Sequence, residues 1–165
     1  QNLNKSYQTI RAMPNMPAFV GKGMTCLISN KLVTKKNKLI ASALFKSVGD
    51  IVWLNNEIDI DKVTAISGSG PAYFFLFIEY LTYAANNLGL SKEVSKKLVY
   101  QTAFGSIDLL LKSKKSAKEL KNNIAVKGGT TEAAIKIFEK NNHFRKITKN
   151  AIQAAYKKSK KLGAS

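Results

Sequence analysis

The 165-residue chain contains few cysteine, histidine or arginine residues, and each shortage narrows the possible functions. The one cysteine, Cys26, cannot form an internal disulfide and lies in an apolar stretch. We therefore expect a buried thiol in a cytoplasmic protein. One histidine and one cysteine exclude the usual zinc ligand sets, so we expect no bound metal. No Ser-His-Asp arrangement or pair of carboxylates stands out as a catalytic group.

Long hydrophobic runs are also lacking. The longest run, Ala72 to Ile78, ends at Glu79 and is much too short to span a bilayer, so no membrane partner is expected. The chain begins with Gln1 rather than Met, and no basic-then-apolar leader follows. We therefore expect an internal fragment or a processed product.

Acidic residues are scarce: 10 stand against 27 basic residues, which gives a net charge of +17. All basic residues except Arg11 and Arg145 are lysines. Nucleic-acid-binding surfaces favour arginine and often carry exposed aromatic residues, whereas the aromatic residues here cluster between Tyr73 and Tyr83 in an apolar helical pattern. We therefore favour a solvated lysine surface and no nucleic-acid partner. A basic helical dimerisation or nucleic-acid-binding module without catalysis is the alternative.

The sequence pattern changes near residue 55. Before it, three short apolar runs at residues 7–13, 24–29 and 50–55 predict strands, and residues 36–48 have a helical pattern. This order is typical of the last part of an α/β sheet. Three short strands cannot cover their own edges and faces, so we expect this part to need further elements.

After residue 55 the pattern predicts helices almost throughout. Their expected ranges are 71–87, 91–112, 117–123, 131–140 and 144–162. Apolar residues recur at helical spacing in two of these helices. In the helix at residues 91–112 we expect a buried stripe, formed by Val99, Ala103, Ile107 and Leu110. In the helix at residues 144–162 one face carries Phe144, Ile147, Ala151, Ala155 and Leu162. The predicted fold is mainly α: residues 1–55 form the end of an α/β domain and residues 56–165 a helical domain, with a broad apolar surface that makes partner subunits plausible.

The segment Gly68-Ser69-Gly70 is similar to a phosphate-binding loop but lacks the full dinucleotide-binding pattern. A dinucleotide fingerprint needs a third glycine three residues after the second, and that position is Tyr73. Pro71 also suits the first turn of a helix. We therefore expect a tight turn followed by a helix, which leaves Ser69 or backbone N–H groups available near a ligand.

A second candidate site is the segment "NNIAVKGGTTEAA", residues 122–134. Gly128 and Gly129 allow the backbone to bend before a helix that Thr130 or Thr131 caps. Exposed N–H groups at a helix start, two hydroxyl groups and nearby Lys127 form a cradle for a small anion, which suits a carboxylate better than a polyphosphate. A plain capped helix after a loop explains the same residues equally well.

A third candidate is "RAMPNMPA", residues 11–18, at the end of a predicted strand. Loops at the carboxyl ends of strands bind ligands in α/β sheets. Loops bounded by proline also occur for structural reasons, so this segment alone is a weak indication.

These motifs, in this order, resemble pyrroline-5-carboxylate reductases. The matching segments are "RAMPNMPAFVGKGMT", "DKVTAISGSGPAYFFLFIE", "IAVKGGTTEAAI" and "AIQAAYKKSKKLG", which together cover nearly the whole chain. The resemblance implies an N-terminal Rossmann domain followed by a helical domain that interlocks two subunits into a homodimer, with larger rings in some members. It also implies reduction of the C=N bond of 1-pyrroline-5-carboxylate to L-proline with NADPH or NADH.

The resemblance also implies roles for individual residues. Thr130 and Thr131 match residues that hold the substrate carboxylate and ring nitrogen, with Gly129 beside them, and Glu57 matches an acid of the substrate site. Cofactor contacts are implied for Asn123 and for the loop Ala12, Met13, Pro14 and Asn15. Two departures stand out: Val126-Lys127 replaces a common Ser-Pro and Met16 replaces a usual threonine.

The resemblance leads to a hypothesis about catalysis. The imine carbon accepts a hydride and the neighbouring nitrogen needs a proton, and Thr131 is the residue we expect to hydrogen-bond that nitrogen. Orientation then supplies most of the rate. The family's glycine-rich fingerprint has no counterpart in residues 1–165, so we expect this chain alone to be inactive.

Overall fold

The computed structural model describes residues 6–164, without the side chain of Ala164. Its strands are β1 Ile10–Met13, β2 Gly23–Ser29 and β3 Gly49–Trp53, and its helices are α1 Lys35–Lys46, α2 Asp59–Val63, α3 Gly70–Asn87, α4 Lys92–Lys112, α5 Ala117–Ile124, α6 Thr130–Glu139 and α7 His143–Ala164. The predicted fold class, mainly helical after a short α/β segment, is confirmed. The first five residues of the predicted 1–55 domain lie outside the described residues.

Internal contacts divide the described residues into two compact units. The first unit contains the chain up to Tyr73 together with the residues from Ala151 onward, and the second contains Phe74–Asn150. The sheet and its core belong to the first unit, whereas α4, α5 and α6 belong to the second.

The sheet has β2 at its centre. β1 pairs with β2 antiparallel, with Met13 opposite Cys26, and β3 pairs with β2 parallel. The consecutive residues 25–28 of β2 are all buried, so both faces of this strand are covered. At the start of β3 the backbones are so close that a Cβ on Gly49 would lie 2.0 Å from the carbonyl oxygen of Gly23.

Capping residues set several helix ends. Ser91 caps α4, because its Oγ accepts a hydrogen bond from the Val94 N–H at 3.3 Å. Ser116 and Glu119 form a capping box at the start of α5, and the Ser116 hydroxyl and N–H lower the pKa of Glu119. Gly89, with φ of 92°, follows the end of α3.

Apolar side chains of the second unit are largely exposed. Ser95 is the only fully buried side chain among residues 74–150, all of which are described. In the α4 stripe that was expected to be buried, Ile107 is 46% exposed and the other members are half-buried. This expectation was wrong, because the helices of this unit leave that stripe partly uncovered. The rings of Phe77, Phe138 and Phe144 contact one another, with centroids 5.8–6.3 Å apart, but each of these side chains is still 41–49% exposed.

Candidate functional site

The predicted loop Ala12–Asn15 begins in the last two residues of β1 and leads into a short 3₁₀ turn, Met16–Val20. Because β1 is antiparallel to β2, this loop lies beside the amino end of β2. The Met24 N–H donates to Asn15 Oδ1 at 2.9 Å. The loop is therefore anchored to the central strand by a side chain that we expected to contact a cofactor.

The segment around Gly68-Ser69-Gly70 is not a tight turn. Residues Thr64–Gly68 form a π-helical turn that follows α2, and Ser69, with φ of −84° and ψ of −19°, continues the helical backbone into α3. The Ser69 N–H donates to the carbonyl of Thr64, five residues earlier. The expectation of a tight turn was wrong because this widened turn accommodates the small residues without leaving the helical conformation.

Two carbonyl groups of this widened turn are bound by side chains. In an α-helix the N–H of residue 71 would donate to the carbonyl of residue 67, but Pro71 has no N–H. The Ser67 carbonyl instead accepts from Asn15 Nδ2 at 3.0 Å. The Tyr73 hydroxyl donates to the Ala65 carbonyl at 3.1 Å.

Cys26 lies against the same turn. Its Sγ is 3.9 Å from the Ser67 hydroxyl and the residue is 2% exposed. Burial raises the pKa of the Cys26 thiol, an effect that the Ser67 hydroxyl partly offsets. The prediction of a buried thiol is confirmed, and a protonated, enclosed thiol is a poor nucleophile.

Glu57 is placed next to the loop by an ion pair. Its carboxylate binds the guanidinium of Arg11, which immediately precedes Ala12 in β1. Both side chains are more than half exposed, so the pair contributes little to stability. The sequence reasoning did not single out Arg11 as a partner of Glu57.

The second unit contains the other predicted substrate residues at the start of α6. Gly129 occupies the N-cap position in an extended conformation, with φ of −83° and ψ of 163°, and makes no side-chain cap. Thr130 is the first helical residue, so the expectation that Thr130 or Thr131 caps the helix was wrong. Glycine serves as an N-cap because its flexible backbone adopts the required conformation without a side chain.

The amides of the two glycines are already occupied. The Gly128 N–H donates to Glu132 Oε2 at 2.9 Å, and the Gly129 N–H donates to the Val126 carbonyl at 3.0 Å. These two amides are therefore not available to the predicted anion cradle. Glu132 also contacts Lys136 Nζ at 3.1 Å, so the cation beside this carboxylate is Lys136.

The free donors lie one to two residues further along the chain. Within residues 6–164, the backbone N–H groups and hydroxyls of Thr130 and Thr131 have no hydrogen-bond acceptor. Thr131 is half-buried and Thr130 is exposed. Four donors at a helix start are suited to a carboxylate and a ring nitrogen. Asn123 lies in the same unit, exposed near the end of α5.

Acidification should loosen the start of α6. The Gly128 N–H, and after it Lys136, lowers the pKa of Glu132 below its ordinary value of 4.5. A carboxyl group with a lowered pKa stabilises the fold above its unfolded pKa, and this contribution is lost as the pH falls through the folded pKa. We expect the protection factor of the Gly128 amide, which corrects exchange for its intrinsic pH dependence, to fall as the pH drops below about 4.5.

Glu132→Gln should remove this acid response at Gly128. Glu93→Gln, which changes an acidic residue in the first turn of α4, is the matched control and should leave the response intact. An unchanged acid response in Glu132→Gln would show that the carboxylate does not hold the Gly128 amide.

The described residues offer no metal site and no membrane span. No three His, Cys, Asp or Glu side chains within residues 6–164 are grouped to hold a metal ion. In the same range, every helix is too short or too polar to cross a bilayer.

The fold and the site together define a helical domain that follows a small α/β segment and carries a threonine pair at a helix start. The family model for pyrroline-5-carboxylate reductase dimerisation matches residues 57–162. The chain therefore belongs to this family.

Individual relatives support the same assignment. The pyrroline-5-carboxylate reductase of Pseudomonas aeruginosa is 41% identical over 160 residues, which are 97% of this chain and 58% of that protein. The Synechocystis reductase is 40% identical over 93% of this chain and 57% of that protein. This chain thus spans a little over half the length of these relatives.

Two solved structures are also similar. The pyrroline-5-carboxylate reductase of Coxiella burnetii superposes with a TM-score of 0.92 at 41% identity, over 97% of this chain and 59% of that one. The Plasmodium falciparum enzyme, solved with NADP bound, superposes with a TM-score of 0.90 at 42% identity, over 97% of this chain and 64% of that one.

Proposed function

We propose that the complete gene product containing these residues reduces 1-pyrroline-5-carboxylate to L-proline with NADPH or NADH, as a cytoplasmic enzyme of proline biosynthesis. The observation that carries this proposal is the set of unoccupied donors of Thr130 and Thr131 at the start of α6. Family membership and the names of the relatives support it.

Each threonine has its own proposed role. The backbone amides of Thr130 and Thr131 and the Thr130 hydroxyl bind the substrate carboxylate. Gly129, at the N-cap, orients these amides through its extended backbone conformation. The Thr131 hydroxyl donates a hydrogen bond to the imine nitrogen. As a hydride reaches the imine carbon, negative charge develops on this nitrogen, and a fixed donor stabilises it. We also assign Glu57, which is paired with Arg11 in the first unit, a role in substrate binding.

The described residues fit only part of the cofactor. Ala12, Met13 and Pro14 are small or apolar residues that suit the nicotinamide ring. For Asn123, an exposed residue of the second unit, we propose a separate contact to the cofactor. The helical conformation of residues 64–70 provides no glycine-rich phosphate loop. NADPH or NADH supplies the hydride, and the role of the protein residues is to orient the imine for it. We assign residues 1–55 to the cofactor domain and residues 56–165 to the dimerisation and substrate domain.

We also propose that the helical unit forms a homodimer, and higher oligomers through it. α3 and α4 line an open groove of about 770 Å³ with mostly aromatic and aliphatic walls. Phe104, in its wall, is 68% exposed, an unusual state for a large apolar side chain. A second copy covering this groove would remove these side chains from water.

Binding of L-proline tests the substrate half of the proposal on the chain itself. A ligand that binds the folded state raises the melting temperature with its concentration. We expect L-proline to raise it and glycine, which lacks the ring, to raise it less. Residues 1–165 alone should oxidise no NADPH with 1-pyrroline-5-carboxylate, whereas the complete gene product should. A melting temperature indifferent to L-proline would argue against the substrate site.

The net charge of +17 supports one alternative, a basic module that binds nucleic acid. Such binding weakens steeply with salt, because each phosphate contact releases counterions. Tight, salt-dependent DNA binding together with no response to L-proline would favour this alternative.

A further inference from the structure

The Asn15 side chain connects three segments that are distant in sequence. Its Oδ1 accepts from the N–H of Met24 at the start of β2, and its Nδ2 donates to the carbonyl of Ser67 in the π-helical turn. The backbone carbonyl of Asn15 accepts from the Ala18 N–H at 3.1 Å, in the turn that follows the loop. Both functional groups of the amide are therefore used inside the protein.

The Ser67 carbonyl lacks its usual helical hydrogen-bond donor because Pro71 lies in the first turn of α3. Pro71 cannot supply the N–H that an α-helix would place there, and a half-buried carbonyl without a partner costs free energy. The Nδ2 group of Asn15 supplies the missing donor to this carbonyl. Neighbouring contacts are close: a Cβ on Gly68 would lie 2.8 Å from Met13 Cε, and Ser67 Oγ is 3.9 Å from Cys26 Sγ.

We propose that Asn15 is a positioning residue, which fixes the backbone of the loop Ala12–Pro14 against the π-helical turn. This inference rests on the proposed function, in which that loop contacts the nicotinamide ring. Asn15 acts through the loop backbone, so its removal changes the alignment of the hydride donor. A misplacement of about 1 Å costs roughly a hundredfold in rate.

A matched residue in the same sheet separates positioning from stability. Asn30 follows the other end of β2; its Oδ1 accepts from the Thr9 N–H at 3.3 Å and its Nδ2 donates to the Tyr7 carbonyl at 2.6 Å. Its Oδ1 also accepts from the Leu32 N–H at 3.2 Å, so the side chain makes three backbone hydrogen bonds at the far end of the β1–β2 ladder. Asn30→Ala loses comparable contacts without touching the π-helical turn.

The test compares Asn15→Ala, Asn30→Ala and the double variant Asn15→Ala/Pro71→Ala in the complete gene product. Residue 71 gains an N–H in the double variant, which can donate to the Ser67 carbonyl within the helix. We expect Asn15→Ala to lower kcat roughly a hundredfold and also lower the melting temperature. Pro71→Ala should then restore much of the melting temperature while kcat stays low. Asn30→Ala should lower the melting temperature and change kcat less than about threefold.

Asn15→Asp covers the case in which Asn15→Ala does not fold. Its carboxylate still accepts from the Met24 N–H but faces the Ser67 carbonyl with a second acceptor, so the loop is displaced and kcat should fall similarly. The inference is overturned when kcat recovers together with the melting temperature in the double variant, or when every folded Asn15 variant keeps normal turnover. The unsubstituted protein distinguishes the two hypotheses: its own lack of turnover would overturn the proposed function instead.

Discussion

Thr131→Ala in the complete gene product should lower kcat for imine reduction about a hundredfold, the usual effect of removing one donor aimed at developing charge. The Thr131 hydroxyl has no acceptor within residues 6–164, so alanine breaks no internal hydrogen bond of that side chain. Its loss leaves the imine nitrogen without a donor as hydride arrives at the neighbouring carbon. Steady-state kinetics with saturating NADPH measures the effect.

Two control variants show whether the hydroxyl is responsible. Thr131→Ser keeps a hydroxyl at this position and should retain most of the turnover. Thr148→Ala removes a threonine of α7 whose hydroxyl donates to the Phe144 carbonyl at 2.8 Å, and it should leave kcat nearly unchanged. Normal turnover by Thr131→Ala would exclude the proposed role of Thr131.

Ala103→Glu should dissociate the proposed homodimer, with a dissociation constant raised by about a hundredfold or more. Ala103 is half-buried in the wall of the groove between α3 and α4. A carboxylate at this position would be covered by the second copy without a paired cation, and an unpaired buried charge costs several kcal/mol. Each 1.4 kcal/mol corresponds to about a tenfold change in affinity. Analytical ultracentrifugation measures the change.

Gln101→Glu is the matched control for this variant. It makes the same charge change on the same helix, at an exposed residue outside the groove wall. We expect it to remain dimeric. A dimer that survives Ala103→Glu, or that is lost equally in both variants, would show that this groove is not the subunit interface.

The regular elements could be predicted because their signals are local. The strands β1, β2 and β3 follow from short apolar runs between proline and glycine residues, and Ser91 and Gly89 mark helix ends by their chemistry. The turn at residues 64–68 could not be predicted in this way. Glycines usually break helices, whereas here hydrogen bonds from Tyr73 and from distant Asn15 support a widened turn.

For the candidate site, the sequence indicated residues, whereas the structure shows hydrogen bonds that the sequence did not predict. The threonine pair was identified, but the Gly128 amide is bound by Glu132 and the Gly129 amide by the Val126 carbonyl. One local signal was present: a glutamate three residues after an N-cap often reaches back to the preceding backbone N–H groups, and Glu132 has this position relative to Gly129. The partners of Asn15 and Glu57 depend on the tertiary fold and have no local signal.

Chemical shifts of the Thr130 and Thr131 amides during titration of the chain with L-proline test the central claim most directly. The account predicts that both amide resonances move and saturate together, and that glycine at the same concentrations moves them less. Resonances that stay in place while L-proline binds elsewhere, or does not bind, would contradict a substrate site at the start of α6.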